Sequence, residues 1–190
     1  KIANNPQLIY TVVIAILITG SFVFMAERFI GIANDAQERL INVRIGSLQD
    51  AFVSFAPDKM NDVEYLNEKI QEIIKSNETI KSFKIIVKKN ITDESTQNTS
   101  LSYVIIASND ISEINTIDYQ ASFLYTLASS DPENSLTTPL LYNGERLFKT
   151  ARAIADKENN ILGVVITTQT LSMADIAIES SIRNSRILLI

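Results

Sequence analysis

The sequence predicts an α+β protein: an N-terminal transmembrane helix that continues into a long helix, followed by a mixed part with five strands. Three observations predict it. Leu8 to Ala26 is a run of nineteen residues with no charge, no proline and one glycine. At about 1.5 Å per residue this is enough to cross a hydrocarbon core of about 30 Å. Beyond it, apolar residues recur at helical spacing as far as Phe55. After Ile80 the period changes to two, and Asn143-Gly144 supplies a hairpin turn.

The chain has 190 residues with a formal net charge of -5, a mean hydropathy of +0.11 and a pI near 4.8. That average hides an asymmetry, because removing the apolar run leaves an ordinary polar chain of one-domain size. There are 0 cysteines and 0 histidines. Disulfide staples, Ser-His or Cys-His nucleophiles, His/Cys zinc sites and imidazole switches are thereby excluded. The largest basic cluster is Lys88-Lys89, which does not make a nucleic-acid surface. The expectation is no cofactor, no metal, no nucleic acid and no catalysis in this chain.

A cleaved signal peptide has an apolar core of about 7 to 15 residues and a small-residue cleavage site. The run here is longer and lacks that site. At the other end Ile187-Leu188-Leu189-Ile190 follows Arg183 and Arg186 and reads as the opening of a second span. The expected organisation is a cytoplasmic stub over 1–7, a transmembrane helix over 8–26, an extracytoplasmic domain over 27–185 and the start of a second span over 186–190. The chain is then a piece of a longer membrane protein.

Within 27–185, the long helix is expected over 27–55, the mixed core over 56–170 and an exit helix over 171–185. Two apolar stripes run along the long helix. Phe29, Ile32, Ala33, Ala36, Leu40 and Val43 form one, and Ile41, Ile45, Leu48, Phe52 and Phe55 form the next. A helix with one neighbour needs one stripe. The membrane-proximal stripe is therefore expected to face the same helix of a second copy, and the distal stripe to lie on the chain's own sheet.

Pro57 ends that helix, and Asp62 to Ser76 carries Val63, Leu66, Ile70, Ile73 and Ile74 on one side of a second. Lys81 to Lys88 and Leu101 to Ser108 read as an antiparallel pair of strands, with Asn90 to Ser100 a loop. Asp118 to Ser129 reads as a short helix closed by Asp131-Pro132. Thr137 to Tyr142, Arg146 to Ala155 and Ile161 to Thr170 complete five strands, with Asn160 taking a left-handed turn conformation.

This order of elements between two spans resembles a Cache domain, the PAS-like extracytoplasmic sensor of prokaryotic transmembrane receptors. Tyr103 to Asp110 (YVIIASND) is similar to the family's second strand and turn. Asp156 to Val165 (DKENNILGVV) is similar to its D-x-x-G-x-x-G-V-V pattern, with Asn159-Asn160 where glycine is usual and Gly163 at the later glycine. The resemblance implies a five-stranded antiparallel sheet backed by the long helix, with a small-ligand cavity on the other face. It also implies an extracytoplasmic location and an intracellular output, most often a histidine kinase, otherwise a chemoreceptor or a cyclic-dinucleotide enzyme.

Strand alternation ranks the ligand candidates. In Arg146 to Ala155 one face carries Ala151, Ala153 and Ala155, and the other Phe148, Thr150 and Arg152. If the alanine face lies on the long helix, Arg152 points into the cavity, where a guanidinium holds a carboxylate or phosphate by two parallel bonds. Thr167 and Gln169 of the last strand can share that side, and Tyr119 and Tyr125 of the covering helix can close it. The ligand-binding candidates are therefore Arg152, Tyr119, Tyr125, Phe148, Thr150, Thr167 and Gln169. The partners expected are a small, anionic ligand, the bilayer and a second copy of the chain.

Overall fold

The computed structural model describes residues 6–92, 99–171, 175–177 and 180–181. It divides into two units, 1–40 with 173–190 and 41–172. Helix α1, Pro6–Val53, is continuous over 48 residues. Its apolar part holds a window of mean hydropathy 2.4 with no buried residue, so it is long and apolar enough to cross a membrane. In the first unit the Gln37 side chain donates to the carbonyl of Asp175 at 2.9 Å. The expected stub over 1–7 and the second span over 186–190 fall largely or wholly outside the described residues.

The second unit follows from the distal stripe. Ile41, Ile45 and Phe52 of α1 are buried, whereas Phe29, Ile32, Leu40 and Val43 of the proximal stripe are exposed. After a 3₁₀ turn, Ala56–Lys59, with Pro57 in its first turn, helix α2 runs Val63–Ser76 and is capped by Asp62, whose carboxylate accepts from the Tyr65 N–H. Strands β1, Ile80–Thr92, and β2, Thr99–Ser108, follow. Their pairing reaches Thr92 and Thr99, so strand occupies both described ends of the stretch expected to be a loop. Positions 93–98 lie outside the described residues. Helix α3, Ala121–Ser130, then leads to β3, Leu136–Tyr142, β4, Glu145–Ala155, and β5, Ile161–Thr170.

All five strands are antiparallel in one sheet of order β2-β1-β5-β4-β3. The β3–β4 turn carries φ +51 at Asn143 and +80 at Gly144, positive at both positions as a type I′ turn requires. In the β4–β5 turn the left-handed residue is Asn159, at φ +64, and not Asn160. Asn160 is instead tied to Asp156, whose carboxylate accepts from the Asn160 backbone N–H and side-chain amide.

Two layers of core form on the sheet. On one face α1, the 3₁₀ turn and α2 place Ile45, Phe52, Ala56, Leu66 and Ile70 over Phe83, Ile85, Ile154 and Val165. On the other, α3 places Ala121, Leu124, Tyr125 and Ala128 over Ile86, Ile105, Ala151, Val164 and Ile166.

Candidate functional site

The alternation in β4 is as the sequence implies, but the faces are exchanged. The alanine face lies on α3, where Ala151 shares a buried cluster with Ala128, and the other face lies under α1. Small side chains are what let α3 approach the sheet, because α3 is short and presents its own alanines. Arg152 therefore does not reach the α3 face. Its guanidinium meets Asp50 of α1 at 2.9 Å.

The register brings five of the seven candidate residues together. Phe148 is opposite Gln169, Thr150 opposite Thr167 and Arg152 opposite Val165, and α1 covers this patch. Phe148 packs with Ile41 and Leu171. Gln49 of α1 donates its amide to the Thr150 carbonyl and to the Thr167 hydroxyl, both at 3.0 Å. The two tyrosines do not join them. Tyr119 is 86% exposed, whereas Tyr125 is buried beside Tyr103, with ring centroids 5.1 Å apart. Burial pushes the Tyr125 phenol up from its ordinary value.

On the α3 face a second polar group was not evident from alternation alone. One rung of the sheet reads Thr138, Lys149, Thr168 and Ser82 across four strands. The next reads Leu136, Ala151, Ile166 and Lys84. Lys84 pairs with Asp118, just before α3, at 2.6 Å, and both side chains are 14% exposed. Burial works against the Asp118 carboxylate, but the Lys84 hydrogen bond and charge, the Gln120 N–H and the charge of Lys149 outweigh it, so its pKa is lowered. Among the described residues Lys149 has no ion pair of its own. The signal in the sequence was two lysines at inward positions of otherwise apolar strands.

This shelf holds two ammonium groups against one carboxylate, with the hydroxyls of Thr168 and Ser82 on the same rung as Lys149. Its uncompensated charge is positive. The chemistry it offers is recognition of a second carboxylate: Lys149 as the cation and a threonine or serine hydroxyl as the neutral donor. Among the described residues no cluster of acids is arranged to hold a metal ion.

No family model matches the sequence, and no curated protein matches it. Solved structures do. The periplasmic domain of RsbU from Chlamydia trachomatis is similar at a TM-score of 0.52 with 15% identity, over 84% of this chain and 56% of that one. The sensor domain of the V. cholerae histidine kinase DctB gives 0.47 and 18%, over 86% and 58%. The ligand-binding domain of the Campylobacter jejuni chemoreceptor Tlp3, in complex with L-norvaline, gives 0.48 and 12%, over 86% and 62%. The chain spans about three fifths of the length of the solved structures it matches. In its sheet order and its flanking helices, this chain has a PAS-like α+β fold, similar to that of the periplasmic domain of RsbU.

Proposed function

We propose that this chain is the extracytoplasmic ligand-sensing part of a transmembrane signalling receptor, and that it senses a small carboxylate on the α3 face. The fold supports the sensor role, and α1 supplies an apolar run suited to a bilayer. The observation that carries the ligand reading is Lys149, half-buried beside the Lys84–Asp118 pair with no anion of its own among the described residues. The shelf adjoins the start of α3, so a bound carboxylate would bear on the segment that Asp118 anchors.

The output we favour is a histidine kinase, with a chemoreceptor or a diguanylate cyclase as alternatives, and this chain itself performs no catalysis. Occupancy biases the output through its differential affinity for two states, with couplings of about 1 to 3 kcal/mol typical. The route proposed for that bias is from β5 through the segment after Leu171 to a second span. The receptor is proposed to work as a homodimer through Phe29, Ile32, Leu40 and Val43, which are exposed on α1.

The test is a thermal-melt screen of the whole chain in detergent or nanodiscs against short mono- and dicarboxylates, amines and nucleobases. A carboxylate present at about 100 times its Kd is expected to stabilise by about 2.7 kcal/mol. The shift is expected to vanish in Lys149→Met and to persist in Arg152→Lys. Stabilisation by amines alone, or by a carboxylate equally in Lys149→Met, contradicts the proposed site.

A further inference from the structure

The buried seam between α1 and the sheet carries a pattern that the ligand reading does not use. Five buried side-chain atoms lack a hydrogen-bond partner among the described residues: Gln49 Oε1, Ser135 Oγ, Arg152 Nε and both amide atoms of Gln169. All lie along the path of α1. Gln49 is 0% and Gln169 1% exposed, and buried polar groups are rarely left unpaired. Two primary amides, each short of a partner, can satisfy one another reciprocally.

We infer that Gln169 is a second docking position for Gln49, giving α1 two hydrogen-bonded seats on the sheet one helical turn apart. In the seat seen here Gln49 is held by Thr150 and Thr167. Gln169 lies two residues further along β5 on the same face, a step of about 6.6 Å, close to the helical pitch of about 5.4 Å. Sliding α1 by four residues toward its N-terminus places Gln49 where Ile45 now sits. It places Asp50 where Gly46 now sits, and a side chain built at Gly46 would have only Ser135 near it, with Oγ 3.9 Å away. The Asp50 carboxylate then accepts from the Ser135 hydroxyl, and Ser54 arrives opposite Arg152.

The same displacement brings a polar partner toward each of the unpaired groups, and in exchange gives up the Gln49 bonds to Thr150 and Thr167 and the Asp50–Arg152 ion pair. Against it stands Phe52, whose ring packs edge-on to Phe83 at 4.9 Å and is replaced by Ala56 in the second seat. The seat seen here is the ground state because it keeps the Phe52 packing, the Gln49 hydrogen bonds and the Asp50–Arg152 ion pair, and the other is a minor state available to be selected. The inference holds whatever ligand the α3 face takes.

The chain has 0 cysteines, so disulfide trapping has a clean background. Ile41 packs with Phe148, whereas Ile45 belongs to the neighbouring cluster, and in the second seat Ile45 takes the place of Ile41. In the whole chain in nanodiscs, Ile41→Cys with Phe148→Cys reports the seat seen here and Ile45→Cys with Phe148→Cys reports the second. The second pair is expected to crosslink slowly to completion, and at least tenfold more slowly when Gln169→Met is added, with the first pair unchanged. Equal rates with and without Gln169→Met overturn the inference. As a check independent of Phe148, side-chain amide NMR of the unsubstituted chain is expected to show exchange broadening at both Gln49 and Gln169, relieved at Gln49 by Gln169→Met. Two sharp amides, or a water resonance bridging them, also overturn it.

Discussion

Asp118 shows how one carboxylate can set a local structure. Its pKa is lowered, chiefly by Lys84 once the opposing effect of burial is overcome. A depressed carboxylate adds stability above its unfolded value of about 3.9 and loses it as pH falls through the folded value. Asp118→Asn is therefore expected to cost about 1 to 3 kcal/mol at neutral pH, with the difference from the parent chain vanishing on acidification below that range, as followed by denaturant unfolding. Gly163 makes a steric point. A Cβ there would lie 2.9 Å from the carbonyl oxygen of Ile86 in β1 and 3.1 Å from Met60. Gly163→Ala must open the β1–β5 pair or displace Met60, and should lower stability by about 1 to 3 kcal/mol with weakened amide protection at Ile86 and Val87.

At the scale of elements, α3 rests on its alanines. Ala128 and Ala151 are both fully buried across that interface, so Ala151→Leu should push α3 from the sheet at a cost of about 1 to 3 kcal/mol. Its far-UV circular dichroism is expected to stay intact while the Tyr103–Tyr125 contact loosens in near-UV spectra. Most elements were legible in the sequence because their signals are local: the change of period after Ile80, the Asn143-Gly144 turn, and the one-sided apolar spacing of α2. The two 3₁₀ turns, Ala56–Lys59 and Ile111–Glu113, were not, since one short turn leaves no periodicity. The candidate site was half legible. Alternation correctly grouped Phe148, Thr150, Arg152, Thr167 and Gln169 on one face, because side-chain period fixes that from the backbone alone. It could not say which helix covers which face. The three alanines suit either a long or a short helix, and only the tertiary arrangement gave them to α3.

For the whole molecule, the fold leaves one apolar stripe of α1 uncovered, with Phe29, Ile32, Leu40 and Val43 exposed. If a second copy covers it, cysteines at Ala33 or Ala36 should crosslink between chains in membranes, and Ile32→Glu with Leu40→Glu should abolish the crosslink while leaving the melting of the sheet unchanged. A ligand on one face of the sheet and α1 on the other would then share β5, whose alternate residues Ile166 and Thr167 face α3 and α1 respectively. The most direct measurement of the central proposal is NMR of the lysine and arginine side-chain nitrogens of the whole chain, titrated with the carboxylate that stabilises it most. The account predicts that Lys149 and Lys84 shift in a saturable way while Arg152 stays still. A saturable shift at Arg152 with both lysines unmoved would contradict it.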